Sequence, residues 1–524
     1  MAKRRRSVAS RSPRLATLAL AVMLASPAAH ADWRLTPSIR LASTYSDNIY
    51  RQSDELAQSQ LLTEIAPSFD LAVNTRRLKL SAAGGWQQFL YMHDDEKSSR
   101  QRNDHARRFA GSLQGILAED LLFVDASAAV SRHSILAFGP QADRTPYLAE
   151  NSTEVRTWRV SPYLVQRFGR QANSVVRYTR TAVDSGARGR FGDTVSDTLS
   201  YQLNSGSAYQ ILGWGLSYVY QKQDNELTGD YSTRTVNANL RYQIAPTFAL
   251  TATGGYDRYD YDALAGDTAG RNWSVGFVWT PSQRSRIAAS VGRHFYGSTG
   301  AFDAQVRSRR TVWDIHYGDT ITTSQSQFTL PAAIDTAALL DRLFTATIPD
   351  PVQRQLAVAA YLQQTGLPAS LAENVNYLSN RFMRQKLLQA SAAVNLARST
   401  AVLALHGSER TALSSQQSDS QLLGPQLASL NDNVRQSGIS ALWSYRLSPR
   451  TNVVANASYS RQQSLSLANG RDTRQRDLSI GLTRTLGRYV QGTVDLRRSA
   501  GSYGLTSTRD YTENALTATI TMQL

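Results

Sequence analysis

The sequence predicts an all-β protein, a transmembrane antiparallel β-barrel of about 20–22 strands with a small helical insert. The C-terminal segment shows the pattern most clearly, because apolar side chains occupy every second position from Leu516 to Leu524, with threonine or glutamine between them. Successive side chains of a strand point to opposite faces, so this strand has one apolar face and one polar face. Similar segments recur along the chain and exceed the roughly five or six residues of an average strand. Long strands with one apolar face are typical of a barrel whose outer wall contacts lipid.

The N-terminus carries the pattern of a secretory signal peptide. A basic stretch that includes Lys3 and Arg14 precedes an apolar run from Leu15 to Leu24, and Ala29-His30-Ala31 has the small-residue spacing of a cleavage site. The apolar run is too short to cross a bilayer as a helix. We therefore expect residues 1–31 to be removed on export, with an uncleaved anchor as the alternative.

The composition is consistent with a barrel. Only 41% of the 524 residues are hydrophobic and the mean hydropathy is −0.36, which suits a wall that needs apolar side chains at alternate positions. The 24 tyrosines and 8 tryptophans are of the type that forms girdles at the two membrane interfaces. The chain has no cysteine, which excludes disulfides, thiolate nucleophiles and cysteine-based metal sites.

The chain is strongly basic. Residues 1–31 carry six cationic side chains and no acidic ones, so their removal lowers the formal net charge from +16 to +10. Nucleic acid is not an expected partner of an exported barrel. A basic lumen or rim that attracts an anionic polymer, or that contacts lipopolysaccharide phosphates, fits better, and the alternative is that arginine only solvates lumen and loops.

Alternation predicts 21 strands, 14 before residues 320–380 and 7 after them. The predicted strands are 33–45, 60–73, 77–92, 105–118, 120–134, 153–168, 171–184, 194–206, 208–222, 231–244, 247–260, 270–280, 284–296, 304–318, 381–397, 400–413, 434–448, 451–464, 474–486, 489–500 and 511–524. Short turns alternate with long loops, and the short side of an outer-membrane barrel is periplasmic.

Residues 320–380 interrupt this rhythm and predict two helices, 331–344 and 350–364, that pack on each other or on the barrel wall. The chain thus divides into the leader (1–31), a first barrel part (32–319), the insert (320–380) and a C-terminal barrel part (381–524). Bacterial barrels normally have an even number of strands, so one strand is missing near the insert, with 324–329 and 374–378 as candidates. This parity favours, narrowly, a periplasmic position for the helices.

Several short motifs occur in an order that resembles one known family. They are Thr36-Pro37-Ser38-Ile39, Thr44-Tyr45-Ser46-Asp47-Asn48-Ile49, Ala66-Pro67-Ser68-Phe69, Asp120-Leu121-Leu122-Phe123-Val124-Asp125-Ala126, Ser161-Pro162-Tyr163, Phe168-Gly169, Trp273 to Pro281, and Gly292-Arg293-His294-Phe295-Tyr296-Gly297. Together they resemble the outer-membrane proteins of the PEP-CTERM/exosortase system, which are encoded beside exopolysaccharide loci. The last residue, Leu524, departs from the aromatic residue with which barrel proteins usually end.

The resemblance implies a role in exopolysaccharide production and no catalytic residues. Together with the polar inner faces and the basic balance, it predicts a passive conduit for exopolysaccharide in the outer membrane. A non-conducting scaffold for periplasmic parts of the synthesis machinery and a general diffusion porin are the alternatives. The predicted partners are outer-membrane lipid, lipopolysaccharide and exopolysaccharide.

Few residues are candidates for a site, and no cofactor, metal or catalytic residue is expected. In the predicted strand 489–500 the lumen-facing polar residues are Gln491, Thr493, Asp495 and Arg497. Arg188 and Arg190 predict a basic outer loop. The alternative interpretation is that this loop binds phosphate or uronate. His93, Asp94, Asp95, Asp104 and His105 bracket one loop, and we expect them to be solvated rather than to act as acid and base.

Overall fold

The computed structural model confirms an all-β barrel. It describes residues 32–92, 102–139, 145–149, 151–186, 191–264, 266–328, 334–345, 348, 354, 357–358, 361–362, 370–372, 377–415, 430, 432–465, 471–503 and 509–524. In these residues 22 strands form one antiparallel sheet that closes on itself. Closure leaves no sheet edge, so every strand can satisfy its backbone hydrogen bonds inside a membrane.

Each strand pairs with its neighbours in sequence, and β1 closes the barrel on β22. The strands are β1 Asp32–Ser46, β2 Gln60–Asn74, β3 Leu78–Tyr91, β4 His105–Ala118, β5 Leu122–Ser134, β6 Ser152–Phe168, β7 Ala172–Ser185, β8 Thr194–Ser205, β9 Leu212–Asn225, β10 Gly229–Ala245 and β11 Phe248–Asp260. The second half comprises β12 Ala269–Ser282, β13 Ser285–His294, β14 Gly297–Arg307, β15 Thr311–Thr322, β16 Met383–Asn395, β17 Ser399–Ala412, β18 Asn433–Ser448, β19 Thr451–Ser464, β20 Asp472–Thr485, β21 Val490–Tyr503 and β22 Arg509–Gln523.

Helices are short and lie between β15 and β16. Helix α1 spans Ser324–Phe328 and α2 spans Thr336–Phe344, and the described residues Arg354, Ala357, Val358, Tyr361 and Leu362 are also helical. A 3-10 turn covers Asp54–Leu56, and Ile334–Asp335 pairs with Ser370–Ala372. No helix in the described residues has the length and hydropathy needed to cross a membrane.

The two faces of the wall differ as the alternation predicts. Leucine, tryptophan and tyrosine side chains stand exposed on the outer wall, including Trp33, Leu250, Trp273, Leu478 and Leu496. Hydroxyl side chains pair across strands on the inner wall, as in Thr44 Oγ1 to Thr517 Oγ1 at 2.9 Å and Thr483 Oγ1 to Thr493 Oγ1 at 3.1 Å. An apolar outer band with a polar interior places the chain in the outer membrane. Cleavage of residues 1–31 stays a prediction, since they lie outside the described residues.

The connections fix the orientation of the barrel. At the end of the barrel where β1 begins and β22 ends, the connections between strands have two to six residues. Most connections at the opposite end are longer. The short-turn end is therefore periplasmic, and the long-loop end is the outer end.

The missing strand lies before the insert, where the sequence predicts only 304–318. Two strands, β14 and β15, occupy this region, and both candidate positions for the missing strand are wrong: Ser324–Phe328 is helix α1, and Tyr377 makes only an isolated bridge with Ser134. Residues 374–376 lie outside the described residues. The turn between the two strands lacks Gly, Pro and Asn, and Ser308 and Thr311 close it through a side-chain hydrogen bond of 2.8 Å.

The extra strand reverses the direction of the chain at the insert. Strand β15 is odd-numbered and runs outward like β1, so residues 323–382 leave the wall at the outer end. The predicted periplasmic position of the helices is therefore wrong.

Candidate functional site in the lumen

Helix α2 lies inside the barrel rather than above it. Its Leu339, Leu340 and Leu343 are buried in one cluster with wall residues of β15 to β18. The wall residues of this cluster are Val312, Ala393, Val402, Ala404 and Leu442. Val312 is the second residue of β15 and Ala393 is close to the end of β16, so the helix reaches the periplasmic half of the lumen.

Charged contacts hold the helical segment in place. Arg342 of α2 forms an ion pair with Asp314 of β15. Arg354 Nε donates to Asp341 Oδ1 at 2.8 Å, and the rings of Phe344 and Tyr361 meet edge-on with centroids 5.5 Å apart. The helices thus pack both on each other and on the wall, as the apolar stripes of the sequence predict.

The two ends of the insert are joined at the outer end. Ser324 Oγ donates to the Tyr377 carbonyl at 3.2 Å and accepts from the Ser379 amide at 3.0 Å. Arg381 is fully buried, donates to the Ser414 carbonyl at 2.9 and 2.6 Å and pairs with Asp432. The insert therefore enters the lumen and leaves it through one anchored point.

Arg410 of β17 lies beneath this anchor and is almost fully buried. Its Nη2 donates to Gln327 Oε1 of α1 at 2.7 Å, and its guanidinium carbon lies 5.2 Å from the centroid of the Tyr377 ring. Within the described residues no carboxylate lies within 4.0 Å of it, and its Nε has no hydrogen-bond partner. A buried cation without a carboxylate is a candidate receptor for an anion.

A second charged cluster ties outer loops to β21 and β22. Glu513 is completely buried and accepts from Arg51 Nε and Arg497 Nη2, each at 2.8 Å. Arg497 also lies 3.5 Å from the Tyr147 hydroxyl of the loop between β5 and β6. Burial by itself would lower the pKa of Arg51, but the Glu513 carboxylate, together with Tyr511, Tyr147 and Asp477, outweighs burial, so that the pKa of Arg51 stands above its ordinary value.

The predicted polar residues lie together on β21. Val494 and Leu496 are exposed on the outer wall, and the opposite face of the strand carries Gln491, Thr493, Asp495 and Arg497. Only Arg497 belongs to the Glu513 cluster, and a pore-lining role for the four stays a prediction. The predicted basic loop residues Arg188 and Arg190 lie outside the described residues, as do His93, Asp94 and Asp95.

His105 points away from the lumen and stacks on Trp86 with ring centroids 4.8 Å apart. In the described part of the chain no group of three or more His, Cys, Asp or Glu side chains could hold a metal ion. The absence of a cofactor and of catalysis nevertheless stays a prediction.

Comparison with known proteins identifies the architecture alone. No protein-family model matches the chain, and no curated protein matches it. The resemblance to the PEP-CTERM/exosortase family therefore stays a prediction.

Solved structures share the barrel fold at low identity. The siderophore receptor PirA from Pseudomonas aeruginosa is 10% identical, with 94% of this chain and 80% of that chain covered and a TM-score of 0.38. The FrpB iron transporter from Neisseria meningitidis is 11% identical, with 93% and 81% covered and a TM-score of 0.46. A variant of the ferric enterobactin receptor PfeA from Pseudomonas aeruginosa is 9% identical, with 94% and 80% covered and a TM-score of 0.45.

The predicted passive conduit for exopolysaccharide is wrong. A passive conduit requires an open lumen, whereas helix α2 and the outer loops occupy part of it. The similar solved proteins are named as a siderophore receptor, a ferric enterobactin receptor and an iron transporter, and this chain is similar to them in barrel architecture alone. The general porin also requires an open lumen and is wrong for the same reason, whereas an occupied lumen does not test the non-conducting scaffold.

Proposed function

We propose that this chain is a gated uptake barrel of the outer membrane. An anionic ligand binds at the outer mouth, and the insert 323–382 moves to let it pass through the lumen. The observation that carries the proposal is the apolar patch on the inner wall, which helix α2 covers with three buried leucines.

The apolar patch on the inner wall indicates that helix α2 binds there reversibly. Inner-wall positions of a water-filled barrel are normally polar, yet Val312, Val402 and Leu442 are apolar where α2 lies. Each buried leucine contributes about 1.5–3 kcal/mol before the entropy of ordering the segment is subtracted. A net docking free energy of about 3 kcal/mol would leave the open state at roughly one part in 100, and a ligand that binds the open state about 10⁴-fold more tightly would reverse that ratio.

The anchor at the outer end gives the gate its hinge and the ligand its entry. Because the insert is held where Ser324 meets Tyr377, rotation of the rest of α1 about that point would withdraw Gln327 from Arg410 and expose the guanidinium group to the outer medium. Arginine matches carboxylate and phosphate groups through its planar donors. This geometry favours uptake of an anion from outside.

A reversible cross-link tests the gate. The chain has no cysteine, so Arg342→Cys with Asp314→Cys can be bridged specifically by a short bis-methanethiosulfonate reagent across the ion pair that they replace. We expect release of carboxyfluorescein from proteoliposomes to slow at least about tenfold and to recover on reduction. The matched control bridges Arg435→Cys and Glu409→Cys, an ion pair between neighbouring strands on the outer wall, and should leave release unchanged. Release that is insensitive to the Arg342–Asp314 bridge would contradict the gate.

Replacing Arg410 separates a ligand role from a structural one. Because its charge is buried without a carboxylate in the described residues, Arg410→Met should leave the free energy of unfolding unchanged or raise it by about 1 kcal/mol. In a barrel without the insert, the same change should lower the preference for chloride over potassium, read from the reversal potential in a KCl gradient. Destabilisation by more than about 2 kcal/mol would indicate a structural role instead.

A further inference from the structure

Four arginines form a stripe on the outer wall of β10 to β13, close to the outer end of the barrel. They are Arg234, Arg258, Arg271 and Arg293, one on each strand, and all are exposed. The register places Arg234 directly opposite Arg258, Arg271 opposite Tyr256, and Arg293 opposite Trp273. The stripe is therefore continuous across four neighbouring strands.

These side chains point toward the membrane and not into the lumen. They share the alternation of the lipid-facing residues of the same strands, among them Val236, Tyr256, Trp273 and Val291, which are 48%, 49%, 51% and 64% exposed. Tyrosine and tryptophan mark the interface between hydrocarbon and headgroups. The guanidinium groups consequently lie at the level of the headgroups of the outer leaflet.

The stripe lacks the carboxylates that neighbour other arginines of the outer rim. Arg435 pairs with Glu409 at 2.8 Å, and Arg384 pairs with Asp319 at 2.6 Å. None of the four stripe arginines has a carboxylate within 4.0 Å in the described residues, and Asp260, on the same face of β11, lies beyond that distance. The guanidinium carbon of Arg234 lies 5.2 Å from the centroid of the Tyr220 ring on the neighbouring strand.

The four stripe arginines would be stabilised by an anion that does not belong to the chain. Like charges directly opposite each other on a sheet are destabilising, and Arg234 faces Arg258 in this way. A phosphate held between them would remove the repulsion and accept two planar guanidinium forks.

We propose that the stripe binds the phosphate groups of lipopolysaccharide in the outer leaflet, with the acyl chains lying on the apolar band below it. Charge complementarity and the position at the headgroup level select this occupant, because the neighbouring phase of these residues is the lipid leaflet. The proposal is independent of the gate in the lumen.

Binding of purified lipid A to the detergent-solubilised barrel tests the proposal. Replacing Arg234, Arg258, Arg271 and Arg293 by glutamine should raise the Kd for bis-phosphorylated lipid A at least about tenfold, and dephosphorylated lipid A should bind the unaltered barrel equally weakly. The matched control replaces Arg398, Arg450, Arg484 and Arg488, four exposed arginines at the periplasmic end, and should change the Kd less than about twofold.

Two outcomes would overturn the site. One is equal affinity of the unaltered barrel for phosphorylated and dephosphorylated lipid A, a comparison that needs no variant to fold. The other is the same loss of affinity in the periplasmic-end control, which would reduce the effect to net charge. Substitution of all four stripe residues by lysine should give an intermediate Kd, because charge remains while the planar fork is lost.

Discussion

Replacing residues 329–376 by a linker of about six glycine and serine residues should convert the barrel into an open pore. The linker suffices because Ser324 Oγ and the Tyr377 carbonyl are 3.2 Å apart, and six extended residues span roughly 20 Å. Removal of α2 uncovers the wall patch and clears one side of a lumen that is wide enough in a 22-stranded barrel for an aqueous channel. We expect the time-averaged conductance in planar bilayers to rise about 100-fold, the factor that a docking free energy near 3 kcal/mol implies.

The matched control removes residues 416–429, another connection at the outer end, with the same linker. This change leaves the anchor of the insert at Ser414 and Asp432 in the chain, and conductance should stay low. An unaltered barrel that already conducts like the deletion variant would show that the insert does not gate the lumen.

The buried carboxylate at Glu513 carries the second large effect. Glu513→Gln removes the one carboxylate that pairs directly with both Arg51 and Arg497 in the described residues, and breaking a buried ion pair by removing one partner costs about 3–5 kcal/mol. The free energy of unfolding in urea, measured on barrels refolded into vesicles, should fall by that amount.

Glu119→Gln provides the comparison for this substitution. Glu119 pairs with Arg77 at the periplasmic end, where both side chains are more than half exposed, and such surface pairs contribute about 0–1 kcal/mol. A loss at Glu513 as small as the loss at Glu119 would mean that water reaches the cluster and that the loops are not tied to β21 and β22.

The sequence was sufficient for the class of fold because alternation is a local property. Each strand needs only its own residues to show one apolar face, and the final seven predicted strands match β16 to β22 closely. It failed where a turn lacks the usual turn residues. The hydrogen bond between Ser308 and Thr311 closes a turn inside a predicted strand, and the single miscounted strand then reversed the side of the insert.

The candidate site could not be predicted from the sequence, because its contacts join residues that are far apart in the chain. Glu513 and Arg51 are separated by 462 residues, and nothing near Arg51 in the sequence indicates a buried ion pair. The stripes of α2 were visible as apolar residues at helical spacing, but their partner is an apolar patch assembled from four strands. A single inner-face apolar residue such as Val312 or Ala393 is unremarkable until the barrel closes and brings the others beside it.

Photo-cross-linking from position 340 tests most directly whether the insert lies in the lumen. Leu340→p-benzoylphenylalanine would be irradiated in intact cells, and the adducts would be mapped by mass spectrometry. The structure predicts adducts on the inner wall at Val312, Ala393, Val402 or Leu442. Adducts on periplasmic proteins, or none on β15 to β18, would contradict a helical segment docked inside the barrel and the gate built on it.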